Sequence, residues 1–261
     1  MGFKRLPIVF LLSLGLSPAW AAPIKVDRDA TPRALAETSP YDLNKLTVEA
    51  LQLPRAQRLS ALAQQGVDGY KALREIAFQS HQSMDLRWRA FMAMAMLGKK
   101  LSLPELEQGA QHKDWFLRSG ALQALSRVAP EKAIIWARRM LDDKALVVRS
   151  AAVKVLREQR DVESSRLLWQ KLNAKDNFRG GVGLWVRRNM VMALADFARE
   201  EDTGRFIDLL NSSDESLHAA AVQGLERITK KKLGQTFEPL SYKRTYWLNW
   251  WAENSGQRTV F

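Results

Sequence analysis

The side chains able to do chemistry are few and far apart. His81, His112 and His218 are widely separated, which offers none of the ligand spacings that hold zinc. The lack of cysteine removes thiol catalysis, disulfides and Cys-ligated zinc or iron–sulfur clusters together. No Ser–His–Asp order or paired-carboxylate site can be singled out. Gly180-Gly181-Val182-Gly183 lacks the Lys-Ser/Thr ending and the preceding strand of a phosphate-binding loop. The expectation is a non-catalytic chain with no metal, no cofactor and no small-molecule substrate.

What recurs instead is arginine. Arg89, Arg118, Arg149 and Arg187 each follow an apolar residue (Trp88, Leu117, Val148 and Val186), and Leu217-His218 makes a fifth copy. Small or apolar residues return four, seven and eight positions after each starter, as in Ala121, Ala124 and Leu125. That spacing draws one stripe along a helix. The starters are 29, 31, 38 and 31 residues apart, so one helix is repeated at nearly constant intervals.

A second apolar helix must precede each copy, and Tyr70–Phe78, Leu103–Ala110, Glu131–Leu141, Glu163–Leu172 and Arg205–Leu210 fill those places. Polar joins such as Lys113-Asp114 and Asp142-Asp143-Lys144 supply side chains that bond free amides at a helix start. The unit is helix, tight turn, helix, of about 30 residues. With no alternating strand pattern, the fold class is all-α.

The second helix carries apolar-Arg-x-x-Ala-x-x-Ala-Leu, complete in Leu117 to Leu125, with Asp a few residues upstream. This resembles HEAT repeats, in particular the short HEAT-like type also seen in phycobilisome lyases, over roughly Pro54 to Leu233. The resemblance implies a right-handed α-solenoid. It also implies that an Asp and an Arg at these places form a ladder bracing neighbouring turns, here from Asp85, Arg89, Asp114, Arg118, Asp143, Arg149 and Arg187. Trp247, Trp250 and Trp251, spaced to share one helical face, are similar to the Trp-rich closing helix of many bacterial HEAT-repeat proteins. Such a helix covers the last apolar surface of an array.

In such arrays the second helices line the concave side, which implies a binding face. Positions two, six and ten after each starter point away from the stripe. They place Gln123, Arg127, Lys154, Arg188, Met192, Gln223 and Arg227 on one mixed basic and amide-bearing surface, suited to a protein segment or peptide. The 38-residue interval holds about seven inserted residues within 173–183. There Phe178 and Arg179 are candidate partner anchors, with the glycines giving flexibility; the alternative is a loop merely tolerated by the array.

The 261 residues are 46% apolar, enough for a folded core, and carry 40 Lys plus Arg against 28 Asp plus Glu, a net charge of +12. Clusters such as Arg138-Arg139, Arg187-Arg188 and Lys230-Lys231-Lys232 open an alternative: anionic envelope polymer, lipid headgroups or nucleic-acid phosphates as partners. Residues 1–21 pair Lys4 and Arg5 with a short apolar run and end in Ala19-Trp20-Ala21, the pattern of a secretory signal peptide cleaved near Ala21. The expected location is periplasmic or secreted, and the expected partner another envelope protein or peptide. The expected domains are a leader at 22–40, the repeat solenoid at 41–233 and the cap at 234–261.

Overall fold

The computed structural model describes residues 39–255. The signal-peptide segment and nearly all of the leader lie outside the described residues.

Residues 40–255 form one all-α solenoid. A first set of helices, α1 (Pro40–Gln52), α2 (Arg55–Gln64) and α3 (Gly66–Phe78), leads into α4 (Met84–Gly98). The array continues with α5 (Leu103–Ala110), α6 (Trp115–Val128), α7 (Pro130–Met140), α8 (Leu146–Glu158) and α9 (Ser165–Leu172). It ends with α10 (Trp185–Asp196), α11 (Thr203–Leu210), α12 (His218–Thr229) and α13 (Leu240–Asn254). Local chemistry sets several starts: the Ser83 hydroxyl accepts the Leu86 N–H at 3.3 Å to cap α4. Pro104 and Pro130 sit in the first turns of α5 and α7, where the missing N–H costs nothing.

Helices α3/α4, α5/α6, α7/α8, α9/α10 and α11/α12 pack as hairpins, and α4, α6, α8, α10 and α12 stack side by side. Their stripes merge into one continuous core running from Ala50 and Leu51 to Trp247. Small residues let neighbours close in. The Phe91 ring fills the space over Gly109, and the Phe206 ring fills that over Gly224. Helix α13 lies on α11 and α12 with Trp247 fully buried and edge-on to Trp250, ring centroids 5.3 Å apart. The hairpins could not leave that end apolar and exposed.

One repeat is out of register with the expectation. In α4 the buried residues are Arg87, Ala90, Phe91, Ala93, Met94 and Ala95, whereas Arg89 and Met92 are half-buried and Met96 is exposed. The starter is therefore Leu86, two residues before Trp88, and the intervals become 31, 31, 38 and 31. The segment Phe91-Met92-Ala93-Met94-Ala95-Met96 is apolar nearly all round, so its periodicity fits both frames. Trp88 instead lies across the repeat boundary, its ring against Gly120 of α6.

The insert differs too. Phe178–Arg179 (β1) and Val182–Gly183 (β2) form a small antiparallel ribbon. Gly180 and Gly181 both have positive φ, 57° and 81°, as a tight two-residue hairpin of the I′ type demands. These glycines fix a turn and do not merely loosen a loop.

Candidate partner-binding groove and the arginine ladder

The ladder position holds Arg87, Arg118, Arg149 and Arg187, which are only 3–7% exposed. A guanidinium buried this deeply needs acceptors for its rigid fork of donors. Each takes them from two consecutive turns. Arg118 donates from Nη1 to the carbonyls of His112 and Lys113, at 2.9 and 2.7 Å, in its own turn. Its Nε and Nη2 reach forward to Asp143 Oδ2 and Oδ1, at 2.6 and 2.7 Å, in the next. Arg87 pairs with Asp114 at 2.8 Å and lies over the Phe116 ring. Arg187 bonds Asp214. The upstream Asp therefore serves the preceding repeat's arginine, not the one on its own helix. Asp85 and Arg89, expected in this row, instead form an exposed one-turn pair at 2.9 Å, with Arg89 also donating to the Leu51 carbonyl. His218 closes the row: its Nε2 meets the Ser212 carbonyl at 2.9 Å, six residues back, as Arg118 meets that of His112.

Burial alone would push the Asp143 carboxyl up, but the Arg118 bond, the Ala145 N–H and the Arg118 and Arg149 charges together hold it below the usual carboxylate range. Burial pushes His112 down, opposed by Asp114 and assisted by Arg87, Lys113 and Arg118. Its Nδ1 accepts the Asp114 N–H at 3.1 Å.

The insert belongs to this ladder. Where the long interval interrupts the pattern, Asn177 supplies the acceptor: Arg149 Nε donates to its Oδ1 at 2.9 Å, and Nη2 to the Asp176 carbonyl at 2.6 Å. Asn177 is buried, with its amide donating to the Lys171 carbonyl. Phe178 lies under Arg187, 4.4 Å from guanidinium carbon to ring centre. Phe178 thus makes an intramolecular contact and is half-buried. Arg179 remains exposed.

On the outward side of the stacked second helices, Gln123, Arg127 and Lys154 line one cavity of about 460 Å³, together with Ser119, Ser150 and Trp185. A second cavity of about 490 Å³, between α8 and α10, shares Lys154 and Glu158 with it, so the two run together as one groove. Asn189 lines that second cavity and donates to the Ser150 hydroxyl at 2.8 Å, tying α10 to α8 at its floor. Arg188 is exposed on α10 at the place that Ser119 and Ser150 hold on α6 and α8, while Met192 is half-buried and packed against the core. Gln223 is exposed, and Arg227 donates to Asp196 at 3.4 Å. Neither lines the two cavities. Sequence periodicity missed Trp185, Asn189 and Arg157. Trp185 stands one residue before the starter, a position the periodicity assigned to no face, and its indole is 51% exposed beside a buried Val186.

Among the described residues, no group of three or more His, Asp or Glu could hold a metal ion. No described helix is long and apolar enough to cross a membrane.

Stacked helical hairpins braced by an inter-turn Arg–Asp ladder define the class: an α-solenoid of helical repeats. Residues 70–157, about a third of the chain, match the family model for HEAT repeats. HEAT repeats generally mediate protein–protein interaction. No curated protein matches the chain. Among solved structures, it is similar to the crystal structure of an engineered protein, at 16% identity and a TM-score of 0.44. The match covers 75% of this chain and 94% of that one.

Proposed function

We propose that the chain is an exported, non-catalytic scaffold that docks another envelope protein, or an extended peptide of one, in the groove over α6, α8 and α10. The observation that carries this reading is the convergence of Gln123, Arg127 and Lys154 from two helices on one groove. The stacked helices hold these side chains in place before a partner arrives, which lowers the ordering cost of binding. The signal-peptide pattern of residues 1–21 supports export, and the Leu117–Leu125 signature supports the short, lyase-type form of the repeat.

Affinity capture from an envelope extract tests it. A partner should be retained by the native chain and lost by the Arg127→Glu/Lys154→Glu variant. Equal retention by both would remove the groove from the reading. The net charge of +12 favours a second reading, an adaptor for anionic polymer or membrane surface. Some of the clustered cations are held within the protein, however: Arg138 grips Asp161 through two bonds of 2.6 and 2.8 Å, and Arg244 donates to the Leu210 carbonyl. Steep loss of binding with salt would select the adaptor, because contacts made mainly to a polyanion release counterions.

A further inference from the structure

The charges in the groove are not balanced. Its two carboxylates are both neutralised within the protein: Glu158 by Lys154 at 2.8 Å, and Asp196 by Arg157 and by Arg227. Among the described residues, the guanidinium groups of Arg127 and Arg160, which line it, have no hydrogen-bond or ion-pair partner, and neither has that of Arg188 beside it. The same groove carries an apolar shelf of Val147 and Trp185, 43% and 51% exposed, at the start of α8 and α10. Tryptophan and arginine are the residues that most often anchor an interface, and unmatched charge selects its opposite.

From this geometry we infer that the groove takes an extended, carboxylate-rich protein segment, with one apolar side chain seated against Trp185 and acidic side chains reaching Arg127, Arg160 and Arg188. The inference rests on the docking reading above. The polar floor of Ser150 and Asn189 offers hydroxyl and amide groups to the backbone of such a segment. An acidic peptide with an apolar anchor uses both the charge and the shelf. A bare polyanion uses the charge alone.

The test is fluorescence anisotropy of the full chain with labelled 12-residue peptides. One repeats Glu-Leu-Asp-Trp, one carries Lys and one Gln in place of each acid, and a 12-residue oligothymidylate serves as a bare polyanion. The acidic peptide should bind roughly tenfold or more tightly than the other two. Arg127→Glu/Arg160→Glu and, separately, Trp185→Ala should each weaken it about tenfold, with melting temperatures unchanged because these side chains are exposed. Equal, Trp185-dependent binding of the Lys or Gln peptide would overturn the acidic specificity and leave the docking reading standing. If none of the three peptides binds, both fall. If the oligothymidylate binds as tightly as the acidic peptide and Trp185→Ala changes neither, the groove is a general polyanion surface and the inference is wrong.

Discussion

Arg118 and Asp143 belong to successive helical pairs, yet they meet in two parallel bonds of 2.6 and 2.7 Å, with side chains only 8% and 10% exposed. The pair fixes the spacing between repeats, because the same guanidinium also holds the carbonyls of its own turn. Arg118→Ala would strand a buried carboxylate and free two carbonyls. The expected loss is about 3–5 kcal/mol, read from urea unfolding. An unchanged unfolding midpoint would show that the ladder does not brace the array.

The neighbouring arginines of α4 should behave oppositely. Arg87 is buried against Asp114, while Arg89 forms an exposed one-turn pair. Arg87→Ala should cost about 3 kcal/mol or more, and Arg89→Ala only about 0.5 kcal/mol. Thermal denaturation of the two variants side by side checks the register. A larger loss from Arg89 would restore Trp88 as the starter.

The insert is expected to be structural. Phe178→Ala removes the ring under Arg187 and should lower stability by about 2 kcal/mol. Asn177→Ala leaves the Arg149 Nε without its acceptor and should cost a similar amount, about 1–3 kcal/mol. Hydrogen exchange should rise at the turns joined by Arg149 and Arg187. Variants as stable as the native chain would return the ribbon to the status of a tolerated loop.

Stability should fall on acidification. Asp143 is held below the usual range, so the unfolded chain binds its proton more readily than the folded one. Its contribution is complete above the ordinary carboxylate value of about 4 and is lost as pH falls through the folded value. His112, also lowered, contributes in the same sense, fully above about pH 6.5 and decreasingly below it. Asp143→Asn should therefore lower stability at pH 7 and flatten the profile below about pH 4. Melting temperatures measured from pH 3 to 8 test this, and an unflattened acid limb would assign the acid sensitivity elsewhere.

Much of the fold was legible because helical periodicity is a local property. The stripe of Leu117, Ala121, Ala124 and Leu125 needs only its own 3.6-residue turn to declare itself, and the seven-residue surplus before Val186 is plain by counting. Periodicity failed in α4, where Met and Ala on every side gave two equally apolar frames. The burial of Arg87 against Asp114, with Ala90, Ala93 and Met94 buried on the same face, separates them. Nor could periodicity reveal the contact of Phe178 with Arg187, which depends on a turn that brings the ring under the guanidinium.

The sequence by itself determined the all-α repeat, its unit length, the arginines after Leu117, Val148 and Val186, and the place of the insert, since each depends on the order of residues along one chain segment. Tertiary structure decided which carboxylate serves which arginine, that Asn177 completes a broken rung, and which groove charges remain unmatched. Those outcomes depend on the stacking of one turn against the next, and a charge is bound or free only according to what that stacking places within about 3 Å of it.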